Sequence, residues 1–260
     1  MGGTGSTEAS TAVLDADWYP ALDRAVDRAL AVWKEPGTPL TVLFSGGVDS
    51  GLLAWELRNR DRTTLFTVGV PGAPDLTVAE AAARVLGLPW RGSAVGPADL
   101  AESARSWRTE LDRRPPGLRG LHLALAVAIE RSPPGAILCG QGIDELFLGY
   151  AHFRGLTDEA ATVRAAADLK RLQEEDWPAT QRLADRSARR LEAPFLDPAF
   201  ISAAVAVPIA RRSAGRPTKA FWRGWAAHRG LPPEIGERPK RAMQYGSGID
   251  RWYRSRLSRS

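Results

Sequence analysis

Hydroxyl and glycine residues surround one carboxylate in the stretch from Ser45 to Ser50, which reads Ser-Gly-Gly-Val-Asp-Ser. A glycine turn lets backbone N–H groups come close to an anion, and serine hydroxyls donate hydrogen bonds to it. A carboxylate beside phosphates repels them unless a divalent cation lies between, so Asp49 indicates a metal ion. The stretch predicts a loop that binds a nucleotide and Mg2+, with Asp49 as a metal ligand and Ser45, Gly46, Gly47 and Ser50 around the phosphates.

A second polar turn reads Gly-Gln-Gly-Ile-Asp-Glu from Gly140 to Glu145. Its two glycines flank Gln141, and its acidic pair begins an apolar turn. This composition predicts a second phosphate loop. Asp144 lies at the rim of that loop and completes a magnesium site with Asp49, because Mg2+ takes carboxylate oxygens as ligands.

Positive charge is concentrated near the end of the chain. From Arg211 onward there are 13 lysines and arginines against three acidic residues, whereas the net charge of the whole chain is +5. Such an excess neutralises a triphosphate and an acidic substrate, or it binds nucleic acid. Composition alone leaves both alternatives open.

Helices and strands alternate along the chain, and these elements must position the candidate residues. The patterns predict helices over 18–35, 97–111 and 120–131, an alanine-rich helix ending at Leu86, and strands ending at Phe44 and over 63–70, 90–95 and 136–139. This alternation predicts an α/β fold: a parallel sheet with helices on both faces and the ligand at the carboxyl ends of the strands. Residues 156–190 are helical and charged, with a break at Trp177-Pro178, which predicts a mainly helical C-terminal part.

The overall composition, 44% hydrophobic and 25% charged over 260 residues, is that of an ordinary globular protein. This length builds one large domain, or a large and a small one. The single cysteine, Cys139, excludes an intramolecular disulfide and fits a cytoplasmic protein. No apolar run reaches the roughly 18 residues of a membrane span. Residues 1–17 lack signal-peptide features and are expected to form a flexible leader.

Three segments carry a resemblance to a known family. The stretch from Ser45 to Ser50 resembles the Ser-Gly-Gly-x-Asp-Ser signature of the N-type ATP pyrophosphatases, which cleave ATP between its α- and β-phosphates. Residues 138–150 resemble the Ser-Gly-Glu-Gly-x-Asp-Glu-Leu-Phe-x-Gly-Tyr segment of asparagine synthetases and their β-lactam synthetase relatives. Residues 217–240 resemble the Lys-x-x-Leu-Arg, Leu-Pro and Arg-x-Lys series of the same family.

The resemblance implies an adenine nucleotide α-hydrolase-like, Rossmann-like fold over residues 18–260. It divides the domain into a nucleotide-binding α/β core over 18–155 and a mainly helical part over 156–260 that carries a basic closing loop.

The same resemblance implies ATP and Mg2+ as cofactors and gives roles to further residues. Val68 presents its backbone to adenine. Lys240, whose place is fixed by the proline before it, neutralises the adenylate and pyrophosphate, and Lys219 is a second catalytic lysine. The remaining nucleotide contacts implied are Leu43, Gly140 and Asp144.

Two positions depart from the family pattern. Gln141 stands where the family has a glutamate thought to deprotonate the incoming amine, and a neutral amide is no general base. We therefore expect Gln141 to orient the substrate. Glu192 stands where the family has an arginine. The proton acceptor is left open among Glu145, Asp185, Glu192 and Tyr245.

These features predict an AMP-forming amide synthetase that adenylates a small-molecule carboxylate and joins it to ammonia or an amine. Because the first loop begins only 45 residues into the chain, no glutaminase domain is expected, and ammonia comes from solution or from a separate glutaminase partner. The alternatives are an RNA-modifying N-type pyrophosphatase, intramolecular ring closure as in β-lactam synthetases, and a non-catalytic nucleotide-binding scaffold. The leading prediction involves no membrane and no nucleic acid, and leaves a homodimer open.

Overall fold

A parallel five-stranded sheet forms the centre of the computed structural model, which describes residues 17–213, 218–238 and 246–257. Its strands are β1 (Leu40–Leu43), β2 (Thr63–Gly69), β3 (Trp90–Ala94), β4 (Ala136–Leu138) and β5 (Leu191–Glu192). Their order is β3-β2-β1-β4-β5. The order reverses at β1, because β2 and β3 extend the sheet on one side and β4 and β5 on the other. This topology creates a crevice at the carboxyl ends of β1 and β4.

Helices connect the strands and cover the sheet. Up to residue 131 they are α1 (Tyr19–Lys34), α2 (Val48–Glu56), α3 (Pro74–Leu86), α4 (Pro97–Ser106), α5 (Arg108–Asp112) and α6 (Pro116–Arg131). The later helices are α7 (Ile143–Leu146), α8 (Asp158–Arg171), α9 (Trp177–Arg186), α10 (Pro198–Ala206), α11 (Ile209–Ser213), α12 (Ala220–His228), α13 (Pro233–Gly236) and α14 (Ile249–Leu257). None of the helices in the described ranges is long and apolar enough to span a membrane.

Each face of the sheet carries its own hydrophobic core. Leu40 and Val42 of β1 belong to the core that contains α1, whereas Leu43 belongs to the core that contains α6. Neighbouring strand residues point to opposite faces, so all four residues of β1 are buried. This two-sided packing confirms the predicted α/β fold with helices on both faces of a parallel sheet.

The sequence of α1 explains how one of these faces is covered. Leu22, Val26 and Leu30 recur at every fourth position and are fully buried. Pro20 lies in the first turn, where a missing N–H breaks no helical hydrogen bond. Lys34 lies in the last turn, where a cation favours the negative end of the helix dipole. The helix predicted over 18–35 is therefore confirmed.

Two features of the C-terminal part differ from the sequence prediction. The chain does not break at Trp177-Pro178, because a π-helical segment, Leu172–Asp176, joins α8 directly to α9. Pro178, which has no backbone N–H, follows this π-helical segment directly, where the regular α-helical hydrogen-bond pattern is already interrupted. The sequence analysis also does not predict β5, because its two residues are too few to show the alternation of polar and apolar residues that marks a strand. β5 pairs with Ile137 and Leu138 of β4, so the fifth strand comes from the C-terminal part.

Candidate active site

The loops that follow β1, β2 and β4 surround one cavity of about 280 Å³ at the carboxyl edge of the sheet. Helix α6 forms an apolar wall of this cavity with Leu121, Leu125 and Ala128. The predicted site residues that line it are Leu43, Ser45, Gly47, Asp49, Ser50, Val68, Gly140, Gln141 and Asp144. The structure thus brings both predicted loops to one cavity, at the point where the strand order reverses.

The loop after β1 is shaped to present backbone amides. The Ser45 N–H donates to Ser50 Oγ at 3.2 Å, and the two serine Oγ atoms lie 3.3 Å apart. Gly46 has φ 70°, which favours glycine, and a Cβ there would lie 3.2 Å from the backbone of Ala79. No side chain caps the N-terminus of α2 at Gly47. The amides of its first turn, in this described segment, are therefore available to an anion.

The loop after β4 lies directly against the first loop. A Cβ at Gly140 would approach the carbonyl carbon of Asp49 to 3.1 Å and the backbone nitrogen of Ser50 to 3.2 Å. Gly142 has φ 105°, and a Cβ there would lie 2.6 Å from Leu196 Cδ2. Gly140 therefore allows the close approach of the two loop backbones, and Gly142 leaves room for Leu196.

Lys219 joins the two aspartates. Its Nζ lies 2.6 Å from Asp49 Oδ2 and 2.6 Å from Asp144 Oδ1. Burial by itself would lower the pKa of Lys219, but the two carboxylates outweigh burial and raise its pKa above the ordinary value. Lys219 is therefore positively charged at neutral pH, and the predicted metal ligands lie close together around its ammonium.

Two arginines that the sequence analysis left without a role also line the cavity. Arg238 Nη1 donates to the Gly46 carbonyl at 3.2 Å, and Arg223 Nε donates to the Thr218 carbonyl at 3.1 Å. Both belong to the tail segments that resemble family motifs, which was the available signal. They bring two further cations to the side of the predicted phosphate loops.

A tyrosine links the cavity to a buried carboxyl group. Tyr150 lines the cavity, and its Oη donates to Glu145 Oε1 at 2.6 Å. Burial raises the pKa of the Glu145 carboxyl, because the charged form loses its hydration there. Glu145 is thus the proposed proton acceptor that the structure connects to the cavity through a hydrogen bond.

The other predicted residues lie elsewhere. Gly46 shapes the first loop without lining the cavity, and Lys219 lies behind the aspartates. Asp185 and Glu192 are not among the described residues that line the cavity. Lys240 and Tyr245 are outside the described residues, so their predicted roles remain predictions. The residue-by-residue assignments for binding and catalysis likewise stay predictions.

Fold and site together define a nucleotide-binding α/β domain whose pocket is shared by two glycine loops. The chain belongs to the asparagine synthase family, whose model matches residues 18–193 and 157–260. This is a family of carbon–nitrogen ligases, and membership implies ATP as the nucleotide. The resemblance seen in the sequence is therefore confirmed.

One curated relative is “Putative asparagine synthetase (glutamine-hydrolyzing) 1” of Methanocaldococcus jannaschii, 26% identical over 266 residues that cover 87% of this chain and 49% of the relative. The chain thus spans about half the length of that protein. Among solved structures, the “predicted subunit of tRNA methyltransferase” of Methanocaldococcus jannaschii is 18% identical with TM-score 0.37, over 76% of this chain and 92% of that one. NMN synthetase of Francisella tularensis is 11% identical with TM-score 0.38, and the similarity covers 95% of this chain and 96% of that one. Both structural similarities are distant.

Proposed function

We propose that this chain is an ATP-dependent amide synthetase that adenylates a small-molecule carboxylate and transfers the acyl group to ammonia or an amine. The observation that carries the proposal is the meeting of the two glycine loops at one cavity, with Asp49 and Asp144 each 2.6 Å from Lys219. A crevice at the carboxyl ends of the strands, where the strand order reverses, is where α/β sheets bind their ligands. Family membership supports the use of ATP.

The proposed reaction has two steps. A carboxylate oxygen of the substrate attacks the α-phosphorus of ATP, and the bond to pyrophosphate breaks. The nitrogen nucleophile then attacks the acyl carbon, AMP leaves, and the nitrogen loses a proton. Adenylation replaces a poor oxide leaving group by a phosphate monoester, so one difficult step becomes two easier ones.

The chain's own groups favour the first step by fixing and neutralising the phosphates. Ser45, Ser50 and the amides at the start of α2 would donate to phosphate oxygens. Arg223 and Arg238, which line the cavity, would stabilise the charge that develops on pyrophosphate. We propose that Lys240 contributes to the same stabilisation.

Asp49 and Asp144 fit a magnesium ion that is bound together with the nucleotide. Both line the cavity, and Asp49 Oδ1 is buried without a hydrogen-bond partner in the described structure. The described residues contain no group of three or more His, Cys, Asp or Glu side chains that could hold a metal ion. Phosphate oxygens would therefore supply further ligands, as is usual for Mg2+. When bound, Mg2+ would neutralise negative charge on the phosphates.

The second step needs a proton acceptor for the amine. Gln141 lines the cavity, and we propose that its amide orients the substrate. Glu145 is the proposed acceptor, with Tyr150 Oη between it and the cavity. The raised pKa of Glu145 brings its basicity closer to that required near neutral pH.

The products of ATP cleavage test the proposal. The purified chain should release AMP and pyrophosphate when Mg2+, ATP and a suitable acid are supplied, and hydroxylamine should trap the acyl group as a hydroxamate. Asp49→Asn should abolish release, whereas Asp61→Asn, at an exposed position, should not. ADP and orthophosphate as products would contradict the proposal. Comparison of ammonia, glutamine and an amine panel identifies the nitrogen donor.

An RNA-modifying enzyme with the same adenylation chemistry is the second candidate. Arg251, Arg254 and Arg256 are exposed on α14, which favours an anionic polymer as partner. Sulfur transfer through the described cysteine is disfavoured, because burial raises the pKa of Cys139 to about 12 and keeps the thiol protonated. Pyrophosphate release that depends on RNA, with RNA binding that weakens steeply as salt rises, would favour this candidate.

A further inference from the structure

Lys219 supports the aspartate pair from the side away from the cavity. Its side chain is 1% exposed, whereas those of Asp49 and Asp144 are 23% and 22% exposed. Both aspartates line the cavity and Lys219 does not. One oxygen of each aspartate contacts the ammonium, and Asp49 Oδ1 has no hydrogen-bond partner in the described structure. The carboxylates therefore line the cavity, and the ammonium contacts them from a buried position outside that lining.

The surrounding backbone is adapted to this ammonium. Lys219 has φ 64° and ψ 36°, a left-handed conformation that is uncommon for residues with a side chain. At Gly149 any Cβ would overlap Asp144 Oδ1 and Lys219 Cε. A residue with unfavourable backbone geometry thus lies beside a position where only glycine leaves room. These two local adaptations indicate that the contact of Lys219 with the aspartates is a built feature of the fold.

We propose that Lys219 is a positioning residue that takes the place of a metal ion in the nucleotide-free protein. It keeps Asp49 and Asp144 assembled at the cavity and leaves the pair too weakly negative to collect free Mg2+. The Lys219 ammonium offsets part of the negative charge of the two aspartates. Metal then binds mainly with the nucleotide, whose phosphates supply the missing charge and ligands.

This inference rests on the metal pair of the proposed function but not on the reaction. It predicts two properties that a merely catalytic lysine would not have: metal-independent assembly of the site, and weak affinity for metal in the absence of nucleotide. Both are measured without turnover.

The first test is thermal unfolding in EDTA without nucleotide. Lys219→Met should lower Tm by about 10 °C, because it removes the buried ammonium that contacts both carboxylates. The triple variant Lys219→Met, Asp49→Asn, Asp144→Asn should recover most of that loss. Lys170→Met, at a lysine whose side chain is 71% exposed, should match the wild type and serves as the control.

The second test is binding of Mn2+ alone, measured by calorimetry and by the change in Tm. Lys219→Met should bind Mn2+ at least about tenfold more tightly than the wild type, because a unit positive charge near the metal is removed. Mn2+ should raise the Tm of Lys219→Met and leave those of the wild type and the triple variant unchanged.

Each outcome decides the inference. It is overturned if Lys219→Met is as stable as the wild type in EDTA, or if Mn2+ alone binds both proteins equally well. If Lys219→Met does not fold, a folded triple variant supports the inference, and failure of both variants overturns it. Pyrophosphate release by the wild type is assayed separately, so the proposed function can stand when this inference fails.

Discussion

Single residues connect the first phosphate loop to the distant end of the chain. Lys219 contacts Asp49 within the loop, and Arg238 donates to the carbonyl of Gly46 in the same loop. Both cations come from the C-terminal part, so the charge of the proposed nucleotide site depends on how that part packs. Changes at these contacts should therefore alter the site without altering the loop sequence.

Gly149→Ala should damage the site through steric overlap. The added Cβ would displace Asp144 or Lys219 from their ion pair. Overpacking of this kind destabilises by about 1–3 kcal/mol, and displacement of Asp144, a proposed metal ligand, should weaken nucleotide binding about tenfold. Thermal unfolding and nucleotide titration measure the two effects. Gly117→Ala is the control because a Cβ there meets nothing within 4 Å. Equal behaviour of the two variants would contradict the steric argument.

Arg238→Met should weaken nucleotide binding and leave the fold intact. Arg238 lines the cavity and holds the turn at Gly46 through a hydrogen bond of 3.2 Å. Loss of a charged donor near the phosphates should raise the KM for ATP about tenfold. Steady-state pyrophosphate release measures the change. Arg84→Met, whose side chain is 72% exposed, is the matched control, and an unchanged KM in Arg238→Met would remove this residue from the proposed site.

Elements with a strong local pattern could be predicted from the sequence, and elements fixed by distant contacts could not. The spacing of Leu22, Val26 and Leu30 is enough to indicate α1, and the residue types of the two glycine loops are enough to predict them. By contrast, β5 is a two-residue strand that is defined by its pairing with β4. The ion pair of Lys219 with Asp49 joins positions 170 residues apart. No local period could indicate either feature, because both depend on tertiary packing.

A buried histidine of helix α6, close to charged residues of α5 and α9, should make stability depend on pH. His122 of α6 is 4% exposed, and its Nε2 has no hydrogen-bond partner in the described structure. Burial, followed by repulsion from Arg114 and Arg182, lowers its pKa from 6.5 to about 4. The folded protein therefore holds His122 neutral over a range in which the unfolded chain binds a proton.

Because folding lowers the pKa of His122, this residue contributes to stability above pH 6.5, and that contribution is lost as the pH falls through about 4. Between about pH 7 and about pH 4.5, the free energy of unfolding should fall by about 2 kcal/mol less in His122→Leu than in the wild type. Urea denaturation at the two pH values measures this. The same pH dependence in His122→Leu and the wild type would show that His122 does not titrate in this way.

At the scale of the whole molecule, both hydrophobic cores are built by both parts of the chain. The core that contains α1 also includes Trp222 and Trp225 of α12, and the core that contains α6 also includes Ile249 of α14. The edge strand β5 belongs to the C-terminal part as well. We therefore expect residues 17–257 to unfold in one cooperative transition, although sequence motifs divide the domain near residue 155.

A fragment of residues 17–155 should fail to fold alone. Truncation would expose the apolar face of α1, leave β4 as an unpaired edge, and remove Lys219 from between Asp49 and Asp144. An exposed edge beside apolar surface favours aggregation over a stable smaller domain. Far-UV circular dichroism and tryptophan fluorescence should give coincident transitions for the full chain and no cooperative transition for the fragment. A soluble fragment with a cooperative transition of its own would show that residues 17–155 form an independent domain. The C-terminal part would then complete the site without being needed for folding.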